Sequence, residues 1–242
     1  MTVPKDSAKR PSRRIAPKRP DGRTLRARSR AAGGTRTAAG AAPRHQEILD
    51  AAALLMQQRG FVGTTVEDVA GHLELTKAAF YYYVANKEEL LYQIAQQTLE
   101  RTDVMISAIG RSDAPPDRKL GQIVDSFVRL VAERPEFFTV YFQEKSHLGA
   151  QHQARVTRIE RKIVRTVERV YRDGIAAGAF GRTDPAVAAL GILGLCFWVH
   201  TWYRPDGRRS VDEISAMFQA LIADGYRSAS RVPGSAGLPG RR

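Results

Sequence analysis

The helical spacing of its apolar residues is the feature that most constrains this chain. From His45 to about Tyr226, apolar residues recur at short helical intervals, as at Ile48, Ala52 and Leu55, which places them on one face of an α-helix. No stretch alternates apolar and polar residues as a β-strand does, and neither a repeat nor a sustained heptad is present. The sequence therefore predicts an all-α protein of about nine helices.

Composition divides the chain into four segments. Segment 1–43 is rich in basic residues, proline and glycine, and segment 227–242 is poor in large apolar residues. Neither segment buries enough apolar surface to fold alone, so we predict that both tails are disordered. Between them, the pattern predicts a head, 44–103, that contains a helix-turn-helix at about 65–84, and a larger helical body, 104–226.

The positive charge of the chain lies in its amino-terminal tail. The whole chain of 242 residues has a formal net charge of +13. Residues 1–44 hold 13 Lys and Arg against 2 Asp and Glu, a net charge of +11, so the rest of the chain carries only +2. Such an arm is typical of proteins that bind nucleic acid or another anionic surface. The alternative is an arm that only keeps the chain soluble.

Several classes of protein are excluded by what the sequence lacks. A single cysteine, Cys196, rules out an internal disulfide framework and fits a reducing cytoplasm. The longest apolar stretch, 186–199, is shorter than the roughly 20 residues that span a membrane. His147 and His152 are spaced wrongly for two ligands on one helical face, and no nucleotide fingerprint or catalytic set is recognisable. We therefore expect no metal, no cofactor, no membrane association and no enzymatic activity.

A helix-turn-helix pattern follows the first helix. Thr64 or Thr65 is the N-cap candidate of one short helix, about 65–72, and Thr76 is that of a second, about 76–84. Two helices joined by so short a turn form the unit in which the first helix crosses the DNA backbone and the second enters the major groove. The sequence thus predicts a DNA-reading surface on the second helix.

Three consecutive tyrosines on that second helix are separated by helical phase. With Phe80 and Val84 in the core, a rotation of about 100° per residue makes Tyr83 a flanking core residue. The same rotation turns Tyr82 away from the core and leaves Tyr81 on the shoulder. Phenol hydroxyls on an exposed face can bond phosphates. The alternative is an amphipathic helix whose exposed tyrosines only border an interface.

The segment 45–91 resembles the amino-terminal domain of the TetR family of bacterial transcriptional repressors. The resemblance rests on four pieces that keep their order and spacing: ILDAAALLMQQRGF, TTVEDVA, LTKAAFYYYV and NKEELL. It implies a homodimer that binds a pseudo-palindromic double-stranded DNA operator. The residues that it places at phosphates are Thr65 and Lys87, and those that it turns toward the operator are Lys77, Ala78, Tyr81 and Tyr82. Arg44, the basic residue at the junction of the tail and the head, is a further candidate for contact with DNA.

Two positions depart from the family pattern. The family often has glycine where this chain has Glu74, so we expect a different backbone at that turn and a carboxylate close to DNA. The family also often has glycine near Ala78, which leaves the base contacts at that position open.

The last two helices, about 184–203 and 210–226, are the candidate dimer surface. Gly191 and Gly194 lie among bulky apolar residues, and small residues allow two helices to approach closely. A helix that is apolar nearly all round needs burial on several sides, which a subunit interface provides. The alternative is an ordinary core helix.

Aromatic residues of the body are the candidates for an effector pocket. An apolar pocket is the usual site for a small molecule, although plain core packing is the alternative for each residue. The candidates are Phe127, Phe138, Tyr141, Phe142 and Trp198.

Basic residues of a long predicted helix, the seventh in the chain at about 151–177, bear on the class of effector. Arg155, Arg158, Arg161, Lys162 and Arg165 form either a solvated face or a group of cations beside the pocket. Cations there suit an anionic, lipid-like ligand such as an acyl-coenzyme A. The pieces RDGIAAGAFGRTDP and WVHTWYRPDGRRSVDEI are similar to those of TetR-family regulators of fatty-acid and sterol catabolism, which implies a response to coenzyme A thioesters.

The sequence therefore predicts a cytoplasmic, homodimeric transcriptional repressor that a small-molecule effector releases from its operator. The alternative is a non-specific or architectural DNA-binding protein driven by the basic tail, with the body as a dimerisation module.

Overall fold

The structure, a computed structural model, describes residues 38–228. Most of the two predicted tails, 1–43 and 227–242, lies outside the described residues. Where the structure does reach them, the chain is helical, because the first helix already begins at Ala38 and the last continues to Ser228. The first helix includes Pro43, whose missing N–H removes a single hydrogen bond near the helix start.

The described part of the chain consists of helices and connecting turns, without a strand, which confirms the all-α class. The helices in chain order are α1 (Ala38–Arg59), α2 (Val66–His72), α3 (Lys77–Tyr81), α4 (Lys87–Arg111), α5 (Pro116–Glu133), α6 (Pro135–Glu144), α7 (Ala150–Ala176), α8 (Pro185–Phe197), α9 (Val199–Trp202) and α10 (Val211–Ser228). A 3₁₀ turn, Lys145–His147, follows α6. The single helix predicted at 184–203 is thus divided into α8 and α9 at Trp198.

Side-chain caps begin α2 and α3 at residues that the sequence predicts, and two further helices begin with caps of the same kind. Thr65 caps α2 in a capping box with Asp68, and Thr76 accepts a hydrogen bond from a backbone N–H in the first turn of α3. Asn86 and Asp184 cap α4 and α8 in the same way. Each cap satisfies a backbone N–H that has no partner inside the helix, so these residues fix the helix starts locally.

The second helix of the helix-turn-helix is shorter than predicted. The sequence predicts a helix at 76–84, whereas α3 ends at Tyr81. The amide of Tyr83 donates to the carbonyl of Phe80 at 2.9 Å, so the last turn tightens into the geometry that commonly ends a helix. This tightening brings Val84 into the core and leaves Asn86 free to cap α4.

Helix α4 joins the head to the body. It runs through the predicted boundary at 103 and 104, and it contacts α1, α5, α6 and α7. Its buried residues extend from Leu90 to Ser107, so one continuous core follows the helix from the head into the body. Any change in the packing of α4 inside the body therefore acts on a helix whose first residue lies beside the helix-turn-helix.

Substitution of two helical glycines by alanine should change the free energy of unfolding in opposite directions. Gly174 is buried in α7, and a Cβ atom there would lie 2.1 Å from the ring of Phe180. Gly71 in α2 has nothing within 4 Å of such an atom. Gly174→Ala should lower the free energy of unfolding by about 1–3 kcal/mol because the core is overpacked. Gly71→Ala should raise it by up to about 1 kcal/mol because alanine favours the helix.

Urea unfolding of the full chain checks both values. A Gly174→Ala variant as stable as the unchanged protein would mean that α7 and Phe180 are not packed as described.

Candidate nucleic-acid interface and effector cavity

The three tyrosines divide as helical phase predicts. Phe80 and Val84 are buried, and Tyr83 is half-buried against the core. Tyr82 is 79% exposed and Tyr81 is 45% exposed. The rings of Tyr82 and Tyr83 meet edge to face at 5.1 Å, so the half-buried tyrosine supports the exposed one. The burial pattern of this stretch is confirmed.

Helix α3 presents a narrow exposed surface, which we name the reading face: Lys77, Ala78, Tyr81 and Tyr82, all exposed. Ala78 is small, so the helix backbone can approach another surface closely at this point. The reading face therefore combines one cation with two phenols around a flat centre. That these residues contact DNA stays a prediction.

Lys77 is paired within the protein. Its Nζ lies 2.5 Å from Oε1 of Glu67 on α2 and 5.9 Å from the centre of the Tyr81 ring. The hydrogen bond between the two charged groups raises the pKa of Lys77 and lowers the pKa of Glu67. The pair is fully exposed to solvent, where an ion pair is weak and screened by salt. A phosphate can therefore replace Glu67 as the partner of Lys77.

Lys87 and Arg44, which the sequence assigns to DNA, hold the head together. Nζ of Lys87 donates to the carbonyl of Phe61 at 2.9 Å and lies 4.3 Å from the centre of its ring. Arg44 donates to the carbonyl of Leu73 at 2.9 Å and pairs with Glu47. Lys87 thus fixes the loop before α2, Arg44 fixes the turn between α2 and α3, and their contact with phosphates stays a prediction.

The hydroxyl of Thr65 is also occupied. It donates to Oδ2 of Asp68 at 2.6 Å, and the backbone N–H of Thr65 donates to the same oxygen at 2.8 Å. These hydrogen bonds hold the pKa of the Asp68 carboxyl below its usual value. A phosphate contact from Thr65 therefore requires the hydroxyl to rotate away from Asp68.

The folded head is acidic around the reading face. Segment 45–94 has three basic residues against seven acidic ones, a formal net charge of −4. The basic residues are Arg59, Lys77 and Lys87, and the acidic ones are Glu47, Asp50, Glu67, Asp68, Glu74, Glu88 and Glu89. Even Arg59 lies 3.7 Å from Asp68. The head therefore offers a phosphate backbone no net positive charge, and attraction by the basic tail, most of which lies outside the described residues, stays a prediction.

Glu74 takes the backbone conformation that glycine favours. Its φ is +54°, in the left-handed region, so the expectation of a different backbone at this position is wrong. The amide of Glu74 donates to Gly71 and that of Leu75 donates to Ala70, which is a Schellman motif at the end of α2. The hydrogen bonds of this motif hold a non-glycine residue in a conformation that costs about 1–2 kcal/mol.

An apolar cavity of about 380 Å³ lies in the body. Four of the five predicted pocket residues line it: Phe127, Phe138, Tyr141 and Phe142. Trp198, the fifth, does not line it. The indole of Trp198 is 56% exposed, because residue 198 lies on the side of the α8 segment that faces solvent.

Polar groups of the cavity form one cluster. The hydroxyl of Tyr141 donates to Glu160, and Nζ of Lys145 donates to the same carboxylate at 2.9 Å. Burial, together with the bond to Glu160, raises the pKa of Tyr141. Lys145 and Glu160 are missing from the predicted pocket because nothing in the local sequence marks them as cavity residues. The cluster offers a ligand one cation, one phenol hydroxyl and one carboxylate, and Thr102 is a further polar residue of a lining that is otherwise largely apolar.

The segment 145–152, which we name the docking segment, connects the cavity to the head. His147 stacks on Phe61 at 4.9 Å between ring centres, and Phe61 accepts the Lys87 bond described above. Gly149 and His152 both donate to Oε1 of Glu88 at the start of α4, at 2.9 and 3.1 Å. Those bonds lower the pKa of Glu88.

A second stacked pair strengthens the docking. The His152 ring lies 3.9 Å from the Tyr92 ring, almost parallel to it. A ligand that moves Lys145 in the cavity therefore acts on a segment that holds both Phe61 and the first turns of α4.

Three arginines of α7 lie beside a surface depression: Arg158, Arg161 and Arg165. Among the described residues, none of the three has a carboxylate within ion-pair distance. Lys162, by contrast, pairs with Asp103. Within the described part of the chain, no group of His, Cys, Asp and Glu is placed to hold a metal ion.

The apolar stretch of α8 and α9 has the length and composition of a membrane span. Within the residues that the structure describes, Pro185–Trp202 is the one such segment, with a mean hydropathy of 1.5, and 28% of it is buried. The corresponding apolar stretch read from the sequence was shorter, at 186–199. One face of the segment packs into the core through Ala189 and Cys196.

A helix-turn-helix joined through one long helix to an all-α body with an apolar cavity is the architecture of a ligand-binding transcriptional regulator. Residues 48–94 match the family described as bacterial regulatory proteins, tetR family, and residues 113–226 match the Tetracyclin repressor-like C-terminal domain. The chain belongs to the TetR family.

Known proteins of this family resemble the chain over most of its length. The HTH-type transcriptional repressor KstR2 of Rhodococcus jostii is 25% identical over 191 residues, which cover 78% of this chain and 94% of that protein. The regulator PfmR from Thermus thermophilus is 27% identical, with a TM-score of 0.68 over 73% of this chain and 96% of its own. AibR, solved with isovaleryl coenzyme A and operator DNA, is 26% identical, with a TM-score of 0.67 over 74% and 97%.

Two variants of Glu74 separate backbone strain from charge. Glu74→Gly should raise the free energy of unfolding by about 1 kcal/mol because glycine adopts a positive φ without strain. Glu74→Gln should leave stability unchanged, yet should tighten DNA binding about two- to threefold because a carboxylate near the phosphates is removed. Urea unfolding and fluorescence anisotropy measure the two effects. Equal stability of all three proteins would contradict the strained turn.

Two tyrosine variants test the reading face. Tyr82→Phe should weaken operator binding by about 1 kcal/mol, roughly five- to tenfold, through the loss of one hydrogen bond, with stability unchanged. Tyr83→Ala should lower the free energy of unfolding by about 2 kcal/mol because it removes a half-buried ring. Anisotropy on a selected duplex and urea unfolding give both values. The reverse pattern would show that the assigned phase of α3 is wrong.

Proposed function

We propose that this protein is a sequence-specific transcriptional repressor of the bacterial cytoplasm, which binds a pseudo-palindromic operator as a homodimer and is released by a small-molecule effector. The observation that supports the proposal is the reading face, where Tyr81 and Tyr82 are exposed while the neighbouring Phe80 is buried. A two-fold operator needs two reading faces, so the proposal requires two copies of the chain.

Exposed apolar residues on α8 and α10 support the homodimer. These exposed large apolar residues are Val187 and Leu190 on α8, Trp198 directly after α8, and Met217 and Leu221 on α10. Water contact with so many large apolar groups is unfavourable, and contiguous exposed patches of this kind mark interaction sites. Two such helices from each subunit would form a four-helix interface.

The basic tail supplies the general attraction for DNA in this proposal. The head carries −4 between residues 45 and 94, whereas residues 1–44 carry +11. Lysine and arginine side chains that neutralise phosphates release counterions, so their contribution is independent of sequence and falls steeply with salt. The reading face then selects among sequences.

The effector in this proposal is an acyl-coenzyme A thioester. A volume of about 380 Å³ is at the small end of ligand pockets, so the cavity would take the acyl chain and leave the nucleotide part outside. Arg161 and Arg165, free of carboxylate partners, lie on the same helix as the cavity residues Ile163 and Val164. Support also comes from AibR, a similar protein solved with isovaleryl coenzyme A.

Competition binding at two salt concentrations tests DNA recognition. The full chain should prefer one selected duplex to random duplex by at least a hundredfold at both concentrations. Removal of residues 1–37 should weaken binding to both duplexes and flatten the salt dependence, while the preference persists. Equal affinity for the two duplexes would favour the alternative, a non-specific DNA-binding protein driven by its tail.

Calorimetry with a panel of ligands tests the effector class. Acyl-coenzyme A thioesters should bind more tightly than either coenzyme A or the free acids, because the cavity and the arginines hold different parts of one molecule. Arg161→Ala should weaken thioester binding without affecting the free acid. Arg118→Ala, an exposed arginine at the start of α5, is the matched control. Tighter binding of the free acid than of its thioester would exclude this class.

A further inference from the structure

The α8 surface lacks a partner within the described chain. Of its 13 residues only Ala189, Ile192 and Cys196 are buried, and none is charged. The outer stripe of the helix includes Leu190, 58% exposed, and Trp198, 56% exposed. A large indole in water beside other exposed apolar groups indicates that another surface covers this stripe.

The stripe contains both a recess and a projection. A Cβ atom at Gly191 or at Gly194 would meet nothing within 4 Å, so the backbone is bare at two neighbouring positions on one face. Trp198 projects from the same face one turn beyond Gly194. We name the recess at Gly191 and Gly194 the notch. Two copies of such a surface can pair around a two-fold axis, because the projecting Trp198 of each copy then fills the notch of the other.

The direction of the pairing follows from these shapes. In a parallel pair, Trp198 would oppose its own copy and the glycines would face glycines, which leaves the notches empty. In an antiparallel pair that crosses at Gly194, residues equally far from the crossing meet, so Trp198 lies against Leu190 and Gly191 of the other helix. The smallest residue then stands at the closest approach, and each indole fills a notch.

The same stripe forms the rim of the effector cavity. Leu190 and Gly194 line that cavity, together with Phe142. Phe142 is itself 50% exposed, although its ring lies 5.1 Å from that of Phe197. The mouth of the cavity therefore opens beside the notch, so whatever covers the notch also covers the mouth.

We propose that the effector site is completed by the second subunit, in which the partner subunit's Trp198 lies in the notch of Gly191 and Gly194 and closes the cavity. This inference rests on the homodimer and the effector proposed above, and it names the residue that joins them. Effector binding and dimerisation then strengthen each other, because a ligand that contacts both subunits stabilises the dimer.

A second copy fits this stripe better than a membrane does. Ala189, Cys196 and Val199 are core residues on the opposite side of the same helical segment, so the segment cannot leave the fold to enter a bilayer. A lipid surface also offers nothing of the shape that fills a two-glycine notch. Met217 and Leu221 on α10 are also exposed, and a second helix of this kind gives a subunit interface the width of two helices.

Cross-linking of cysteine variants tests the geometry without a ligand. Leu190→Cys combined with Trp198→Cys should give a disulfide-linked dimer under mild oxidation, because a disulfide needs Cα atoms about 4.4–6.8 Å apart. Leu190→Cys combined with Trp202→Cys is the matched control and should stay uncoupled. The native thiol does not interfere, since burial raises the pKa of Cys196 to about 12. Linkage of the control pair alone, or of neither pair, would overturn the antiparallel arrangement.

Closure of the cavity is tested with octanoyl-coenzyme A as the probe. At protein concentrations where sedimentation shows dimers throughout, Trp198→Ala should weaken probe binding at least tenfold, whereas Trp202→Ala should change it less than threefold. Equal effects of the two variants would overturn closure by Trp198. If the unchanged protein does not bind the probe, the proposed effector class fails, and the cross-link still decides the geometry. If the protein is a monomer and sediments with phosphatidylglycerol vesicles, a membrane covers the stripe and the second copy is excluded.

Discussion

The attachment of the docking segment to the start of α4 is the interaction on which the functional architecture depends. Glu88 accepts hydrogen bonds from Gly149 and His152, and His147 stacks on Phe61 in the loop before α2. These contacts tie the helix-turn-helix to the turn that also places Lys145 in the cavity. We therefore expect a ligand that shifts this turn to move the reading face and so to bias binding of DNA by the head.

Charge distribution adds a second constraint, which separates affinity from selectivity. Every basic side chain between residues 44 and 94 has an acceptor inside the protein, and the surrounding segment carries a net negative charge. Binding of DNA must exchange these internal partners for phosphates or rely on the tail. We expect a head without the arm to bind DNA weakly and with little salt dependence. Selection among sequences by Tyr81 and Tyr82 stays a prediction.

Local patterns explain which features were predictable from the sequence. Thr65, Thr76 and Asn86 cap their helices through bonds to neighbouring residues, and the phases of the tyrosines follow from helical geometry alone. The roles of Lys87 and Arg44 were not predictable, because their acceptors lie 26 and 29 residues away in the chain.

Two further predictions were wrong because tertiary structure decides the outcome at those residues. Glu74 keeps the glycine-like turn because the Schellman hydrogen bonds hold it there. Trp198 was assigned to the pocket by its aromatic character, whereas the register of α8 turns it outward, where the second subunit would return it to the cavity.

Measurement of the coupling between operator and effector decides whether the docking segment links the cavity to the head. The affinity of the full chain for its selected duplex is determined with and without the tightest ligand of the thioester panel, and the same is done for His147→Ala. We expect the ligand to lower the DNA affinity of the unchanged protein at least fivefold, within the usual range of such couplings. In the His147→Ala variant, whose docking segment has lost its stack on Phe61, we expect the ligand to have little or no effect on DNA affinity. An equal loss in both proteins would contradict coupling through the docking segment.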